Sequence, residues 1–215
     1  MTSPDNTIIA PFVTGIFNGV EDLDSKAWGS CAPISISKLW SGEEALERRH
    51  ALASILWTEK ALNVRFVCRQ QEPLVTSANP ALNEKTIGLW DRDVCEIFLA
   101  PDANNVSRYF EFEAAPSGEW IDLGLEITPN GRDTDWDYAS GMTTTASLRD
   151  EELIVGIQIP WSESIRKPRA GDSWRCNLFR CVGPESPSRY LAWQPTRTEV
   201  PNFHVPEVFG NLRFA

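Results

Sequence analysis

The chain has 215 residues and a formal net charge of −10. Because nucleic-acid phosphates and anionic lipid surfaces attract basic proteins, this acidic balance counts against nucleic acid and membranes as partners. About 42% of the residues are hydrophobic and 23% are charged, which is ordinary for a globular protein with a sizeable core.

The N-terminal part of the chain shows no regular period. The first thirty residues predict irregular structure that ends near Trp28, and they lack a basic segment followed by an apolar one. No run is long and apolar enough to span a bilayer. We therefore expect a cytoplasmic protein, or a secreted one if a leader has been removed. Ser41 to Glu44 has capping-box spacing ahead of ALERR and predicts a short helix or helical turn.

From His50 onward the sequence has the alternating or β-rich pattern of strands. HALASILWT and ALNVRFVCRQ, separated by a polar turn around Glu59, predict a hairpin, and residues 72–89 predict a long loop. The later strand-like runs are DVCEIFLAP, SRYFEFEAAP, EWIDLGLEI, TTTASLRD, ELIVGIQIPW, WRCNLFRCV, RYLAWQP and VFGNLRF. TPNGRDTDWDYASGM is predicted to be a polar loop, and residues 161–166 a short helical turn.

This order of elements predicts an all-β fold. Roughly ten strands at short spacing, without a long amphipathic helix, are typical of an antiparallel β-sandwich of jelly-roll or immunoglobulin-like type with few short helical turns. We find no internal repeat, low-complexity tract or linker, so residues 1–215 are expected to form a single domain.

Cysteine and tryptophan are interpreted mainly as core residues. The five cysteines are odd in number and include no C-x-x-C pair, which counts against a disulfide framework and a zinc site. Of nine tryptophans, four are expected to be structural because Trp buries a large area: Trp28, Trp57, Trp174 and Trp193.

Alternation along the strands places carboxylates on one face of the sheet. Glu96 is expected opposite the core residues Cys95 and Ile97, and Glu111 and Glu113 share the non-core face of the next strand. Aromatic rings near such carboxylates suit sugar recognition, because a pyranose lays its apolar C–H faces on rings and its hydroxyls bond carboxylates. A solvated face of exposed glutamates is the alternative.

LWDRDVCEIFLAPD resembles the family 9 carbohydrate-binding modules, whose pattern is a Trp, a short polar step and D-x-V-E-I-F. Cys95 stands where Val is usual. DLDSKAW resembles the opening element of the family, RCNLFRCVG followed by YLAWQPT its later strands, and FHVPEVFGNLRF its final motif. These matches keep the family's order over nearly the whole chain. The resemblance implies a DOMON-like β-sandwich that binds sugar without catalysis.

The resemblance also implies a site. Two aromatic rings that hold a terminal sugar in the family fall at Trp90 and Phe203, and a hydroxyl-bonding carboxylate falls at Glu96. His204, beside Phe203, is a candidate to bond the ligand. Further ligand-side positions fall at Glu111, Asn177 and Phe179. The expected partner is a monosaccharide or a glucan- or xylan-type oligosaccharide.

Metal is not expected at this site. Family members carry structural calcium, and oxygen-rich loops can hold Ca²⁺. Here Asp133, Asp135 and Asp137 alternate in the polar run, which is interpreted first as a solvated acidic loop. Structural calcium is therefore an open alternative, and no other cofactor is expected.

Three alternatives to sugar binding stay open. A glycoside hydrolase could use Glu96 and Glu111, since hydrolysis needs two carboxyl groups about 5–5.5 Å or 6.5–9.5 Å apart. Haem binding, as in cytochrome-type DOMON domains, would need axial ligands such as His50 or His204 with Met142. The fold could also serve as an interaction domain that has lost sugar binding.

Overall fold

The computed structural model describes residues 6–14, 17–184 and 187–215. The strands, in chain order, are β1 Thr7–Ala10, β2 Ile34–Ile36, β3 Lys38–Leu39, β4 Ala51–Trp57, β5 Ala61–Arg69, β6 Val94–Ala100, β7 Arg108–Ala114, β8 Trp120–Thr128, β9 Gly131–Asp135, β10 Thr143–Arg149, β11 Glu152–Pro160, β12 Ser173–Cys181, β13 Tyr190–Ala192 and β14 Gly210–Phe214. Short 3-10 turns lie at Gly19–Glu21, Lys26–Ser30, Glu47–Arg49, Leu89–Asp91 and Pro206–Val208.

The described strands form two sheets. The larger runs β1-β14-β12-β6-β7-β8-β9, with β13 beside β12 and β3 beside β13. The smaller runs β10-β11-β5-β4-β2. The pairs are antiparallel except for β1 with β14, which is parallel. The predicted all-β sandwich is confirmed, and so is the hairpin of β4 and β5.

Apolar side chains from both sheets fill the space between them. Phe66 on β5 and Ile157 on β11 pack in one cluster with Ile97 on β6 and Phe112 on β7. The side chains that alternate with these point to the other face of the larger sheet, where a second cluster contains Phe98, Tyr109, Phe179 and Phe209. Every residue of β6 is therefore buried, since both faces of this strand are covered.

The predicted structural tryptophans lie in the core. Trp28, Trp57, Trp174 and Trp193 are all buried. Trp57 and Trp174 each meet the ring of Phe214 edge-on, with centroids 5.7 Å and 4.7 Å apart. The interpretation of these four residues as structural is consistent with their burial.

The predictions of a loop after β8 and of an irregular N-terminal part were wrong. The run TPNGRDTDWDYASGM contains β9, an edge strand that forms a hairpin with β8. The N-terminal part, predicted to be irregular, contains β1, which joins the larger sheet by pairing with the distant strand β14. The expected helical turn is present within ALERR as the 3-10 turn Glu47–Arg49, but Ser41 does not cap it, because the Ser41 hydroxyl accepts from the backbone N–H of Glu43.

The segment at residues 161–166 is a turn without helix, closed by the backbone N–H of Ser162 donating to the carbonyl of Ile165. None of the helical segments in the described residues has the length and hydropathy needed to cross a bilayer.

Candidate functional site

A cleft of about 240 Å³ opens on the face of the larger sheet that lies away from the smaller one. Its floor is made by side chains of four adjacent strands, β12, β6, β7 and β8. Its walls come from the turn at Leu89–Asp91, from β9 and from the loop at residues 201–204. The cleft therefore sits on the centre of the sheet, where strand pairing holds the floor rigidly.

Three glutamates lie together on this floor. Glu96 on β6 is the registered partner of Glu113 on β7, and Glu111 lies two residues before Glu113 on the same face. Exposure is 1% for Glu96, 2% for Glu111 and 0% for Glu113. One oxygen of each lies within 4.8 Å of the others. The face predicted from alternation is thus correct, but it is buried rather than solvated.

These carboxyl groups have few partners. The Cys181 thiol donates to Glu96 Oε1 at 3.3 Å. Both oxygens of Glu113 and Oε2 of Glu111 have no hydrogen-bond donor among the described residues. Buried polar atoms are seldom left unpaired, and these oxygens are available to accept hydrogen bonds from a ligand.

Burial and mutual repulsion favour the protonated form of this cluster. Loss of hydration raises the pKa of Glu96 and of Glu113 well above the ordinary value, and the neighbouring carboxyl groups raise it further. Burial also raises the pKa of Glu111, against the opposing effects of the adjacent Glu113 side chain and of the Arg132 charge. A protonated carboxyl group can donate as well as accept a hydrogen bond, which widens what the cluster can recognise.

Aromatic rings form the apolar part of the cleft. Phe203 stacks on Phe179 with ring centroids 4.0 Å apart and planes inclined by 13°. One face of Phe203 is thereby covered, and only the opposite face is left for a ligand. Trp90 is presented by the turn at Leu89–Asp91, which follows Gly88 in a left-handed conformation with φ of 80°. Gly suits that position because it carries no Cβ.

His204 lines the cleft as a neutral side chain. Its Nδ1 lies 2.9 Å from the Tyr109 hydroxyl and 4.0 Å from Glu111 Oε2. Burial lowers the pKa of His204 to about 3, and the nearby Arg132 contributes to this shift. His204 therefore does not supply a positive charge to the glutamates at neutral pH.

The structure brings five predicted site residues together and separates two others. Trp90, Phe203, Glu96, Glu111 and His204 all line the cleft.

The prediction that Asn177 and Phe179 contact the ligand is not supported. Both are fully buried and neither lines the cleft. The Asn177 amide donates to the carbonyl of Gln194 at 2.8 Å and accepts from the Leu178 and Gln194 N–H groups at 2.9 Å and 3.0 Å. Its polar atoms are thus used to anchor a loop. Phe179 supports the ring of Phe203 from below.

Other lining residues were missed at the sequence level. Arg132, Thr134 and Trp136 reach the cleft from β9 and the residue after it, at period-2 spacing that a strand assignment would have revealed. Tyr190 meets the Phe203 ring edge-on at 5.9 Å. Glu113 was placed on the correct face but not named as a site residue.

The aspartates of β9 lie elsewhere. Asp133 and Asp135 are exposed, and Asp135 accepts a hydrogen bond from the backbone N–H of Asp137 at 3.1 Å. In the described chain, the acidic side chains whose oxygens converge within 4.8 Å are Glu96, Glu111 and Glu113, and the β9 aspartates are not among them. Structural calcium in the β9 region stays a prediction.

Two kinds of comparison relate the chain to known proteins. The sequence model of the family described as carbohydrate family 9 binding domain-like matches residues 21–215. No curated protein gives a match.

Solved structures with similar folds include a candidate carbohydrate-binding protein of Bacteroides uniformis, with 18% identity, a TM-score of 0.76 and coverage of 98% of this chain and 99% of that one. A family 9 carbohydrate-binding module of Caldicellulosiruptor kristjanssonii in complex with glucose has 18% identity, a TM-score of 0.66 and coverage of 97% and 95%. A family 9 carbohydrate-binding module of the same organism in complex with cellotriose has 19% identity and a TM-score of 0.63, with coverage of 97% of this chain and 93% of that one.

Proposed function

The chain belongs to the carbohydrate family 9 binding domain-like family, and from this premise we propose that its cleft binds the end of a saccharide, with one pyranose ring between Trp90 and Phe203. The observation that carries the proposal is the coincidence, in one cleft, of aromatic rings with buried carboxyl groups that lack partners. Sugars need both features, because each ring presents apolar C–H faces and a rim of hydroxyl groups.

The size of the cleft supports a short ligand. A volume of about 240 Å³ is below the roughly 300–1,000 Å³ typical of pockets for drug-sized molecules. A single ring, or the terminal unit of a chain that continues into solvent, fits this description better than an internal stretch of polysaccharide.

The support beneath Phe203 helps to explain how a small ring could serve here. Phe179 fixes the plane of Phe203 from one side, and Tyr190 meets its edge. A ring that is already immobilised loses little side-chain entropy when a sugar stacks on it, so more of the contact energy contributes to affinity.

The glutamate geometry favours binding over hydrolysis. A glycosidase places its two carboxyl groups on either side of the scissile bond. In this cleft the three glutamates lie side by side on one floor. We propose that they hold hydroxyl groups from one side and do not act as an acid and base pair.

The experiment is calorimetric titration of the full chain with glucose, cellobiose, cellotriose and xylobiose, because the Caldicellulosiruptor relatives are complexed with glucose and cellotriose. Analysis of the same mixtures for released sugar tests the hydrolase alternative. We expect saturable binding at one site and no new reducing ends. If neither these sugars nor any glycan on an array binds, the saccharide proposal is wrong. The alternative of an interaction domain that has lost sugar binding is then favoured.

A further inference from the structure

The glutamates of the cleft floor differ from other buried acidic residues of the same sheet. Glu119 accepts from the Arg92 guanidinium at 2.6 Å, and the Lys85 ammonium lies 2.8 Å from Asp122 Oδ1. Both of these acids are as deeply buried as the floor glutamates. The fold therefore supplies these two acids with a cation, and it supplies the similarly buried Asp93 with N–H donors from Gly183 and Gln70 instead.

Among the described residues, no Lys or Arg forms an ion pair with a floor glutamate, and the charges of Arg189 and Arg132 act on Glu96 and Glu111 only from a longer distance. On the loop at residues 201–204, His204 is neutral. Two guanidinium nitrogens of Arg189 donate hydrogen bonds to the backbone carbonyls of Asp91 and Arg92, at 2.9 Å and 2.6 Å. Arg132 is exposed on the edge strand β9. The other titratable side chains near the cluster, Cys181, Tyr109 and Asp91, carry no positive charge.

A primary ammonium group matches this arrangement. It has three N–H donors, and three acceptors placed at about 2.8 Å around one nitrogen are separated by at most about 5 Å. The floor glutamates offer one oxygen each within 4.8 Å. Three oxygens of Glu111 and Glu113 have no donor in the described chain.

The rest of the lining also favours an organic cation over a metal ion. Ca²⁺ takes six to eight oxygen ligands, whereas the side chains next to the floor glutamates are mostly aromatic or aliphatic, including Trp90, Phe98, Phe203 and Tyr190. Aromatic faces attract ammonium ions, most strongly where water is excluded. The protein's own net charge of −10 adds to the attraction.

We propose that the preferred ligand is an amino sugar, free or at the end of an oligosaccharide, whose protonated amine is held by Glu96, Glu111 and Glu113 while its ring stacks on Phe203. This inference rests on the proposed saccharide site and specifies its ligand class. A cation at this position would favour the ionised form of glutamates that the protein itself leaves without an ion pair to Lys or Arg.

The test compares ligands that differ at a single group. Cellobiose and the chitosan disaccharide share their β-1,4 linkage and differ in carrying a hydroxyl or an amine at C2 of each ring. Calorimetric titration at pH 6, where the amine is protonated, is expected to show at least about tenfold tighter binding of the chitosan disaccharide. Its diacetylated form, which has no charge, is expected to bind no better than cellobiose.

Variants assign the preference to the floor glutamates. Glu113→Gln keeps the shape of the side chain and is expected to reduce the preference for the amine to about threefold or less. Glu126→Gln makes the same substitution at an exposed position on the neighbouring strand β8 and is expected to leave the preference intact. Glu111→Gln serves as the second floor variant if circular dichroism shows that Glu113→Gln is unfolded.

The outcomes separate this inference from the proposed function. If cellobiose or the acetylated sugar binds as tightly as the amine, the amino-sugar inference is wrong and the saccharide site stands. If no sugar binds at all, both fall. If one Ca²⁺ binds to the wild-type protein but not to Glu113→Gln, and excludes the amine, the glutamates form a metal site and the inference is overturned.

Discussion

The ring of Phe203 lies on the ring of Phe179, with centroids 4.0 Å apart and an interplanar angle of 13°. Phe179 is fully buried on β12, at the centre of the larger sheet, whereas Phe203 belongs to a loop. The pair therefore ties a cleft wall to the rigid floor. A residue that does not line the cleft can in this way control the orientation of one that does.

Replacing Phe179 by Leu should weaken sugar binding without removing any ligand contact, because Phe203 loses its flat support. We expect a stability loss of roughly 1–2 kcal/mol from the smaller side chain, together with weaker affinity by calorimetry. Phe66→Leu, equally buried between the two sheets, is the matched control and should lose similar stability with unchanged affinity. Equal affinity losses in both variants would point to a global effect instead.

Trp90→Ala should weaken saccharide binding by about tenfold or more, because a stacking ring is lost from the wall of the cleft. Trp90 is only partly buried, so the melting temperature should change little. Ile87→Ala, an exposed position three residues earlier in the same loop, is the control for affinity and for folding. Unchanged affinity in Trp90→Ala would place the saccharide elsewhere on the protein.

Glu113 should make the unliganded protein less stable as pH rises. Its folded-state pKa is raised by burial and by Glu96 and Glu111, so the folded protein holds a proton that the unfolded chain releases near pH 4.3. The contribution of Glu113 to stability is then fully present below about pH 4.3 and is lost as pH rises through the raised folded-state pKa. Urea unfolding at increasing pH above about 4.3 should show that the free energy of unfolding declines less in Glu113→Gln than in wild type. The Glu126→Gln variant should decline as wild type does.

His204 should have the opposite dependence. Its folded-state pKa of about 3 lies below the ordinary value near 6.5, so between these values the unfolded chain binds the extra proton. Stability from this residue therefore rises with pH from about 3 to about 6.5. Urea unfolding of His204→Gln from pH 3.5 to 6.5 should lose this rise. An unaltered slope would mean that His204 titrates normally in the folded protein.

Trp174→Ala should cost roughly 3–5 kcal/mol of stability, because the residue is buried and packs edge-on against Phe214 and Trp161. The change is measured by urea unfolding followed by circular dichroism. Trp136→Ala removes a half-exposed ring and should cost less than about 1 kcal/mol. A near-neutral Trp174→Ala would show that the surrounding core closes over the gap.

Part of the site followed from local sequence pattern. Successive strand residues point to opposite faces, so Glu96 had to lie opposite Cys95, and Glu111 and Glu113 had to share a face. The family resemblance placed Trp90 and Phe203, and both line the cleft. That the glutamates are buried did not follow, because burial depends on the walls that surround them.

Other parts could not be read locally because they depend on distant partners. The polar run at residues 131–135 becomes a strand only by pairing with β8, and this pairing brings Arg132 toward the cleft. Asn177 lies on the predicted strand, but its side-chain amide forms hydrogen bonds with the backbone of Gln194, seventeen positions further along the chain.

The amino-acid sequence by itself determined most of the strands, their two-sided pattern and membership of a sugar-binding family, since alternation and motif order are properties of the chain. Only the tertiary structure decided which polar groups are left without partners. Glu119 meets Arg92, whereas Glu113 meets Glu96 and Glu111. The difference arises from strand register, which brings together charges that are far apart in the chain and sets the floor of the cleft.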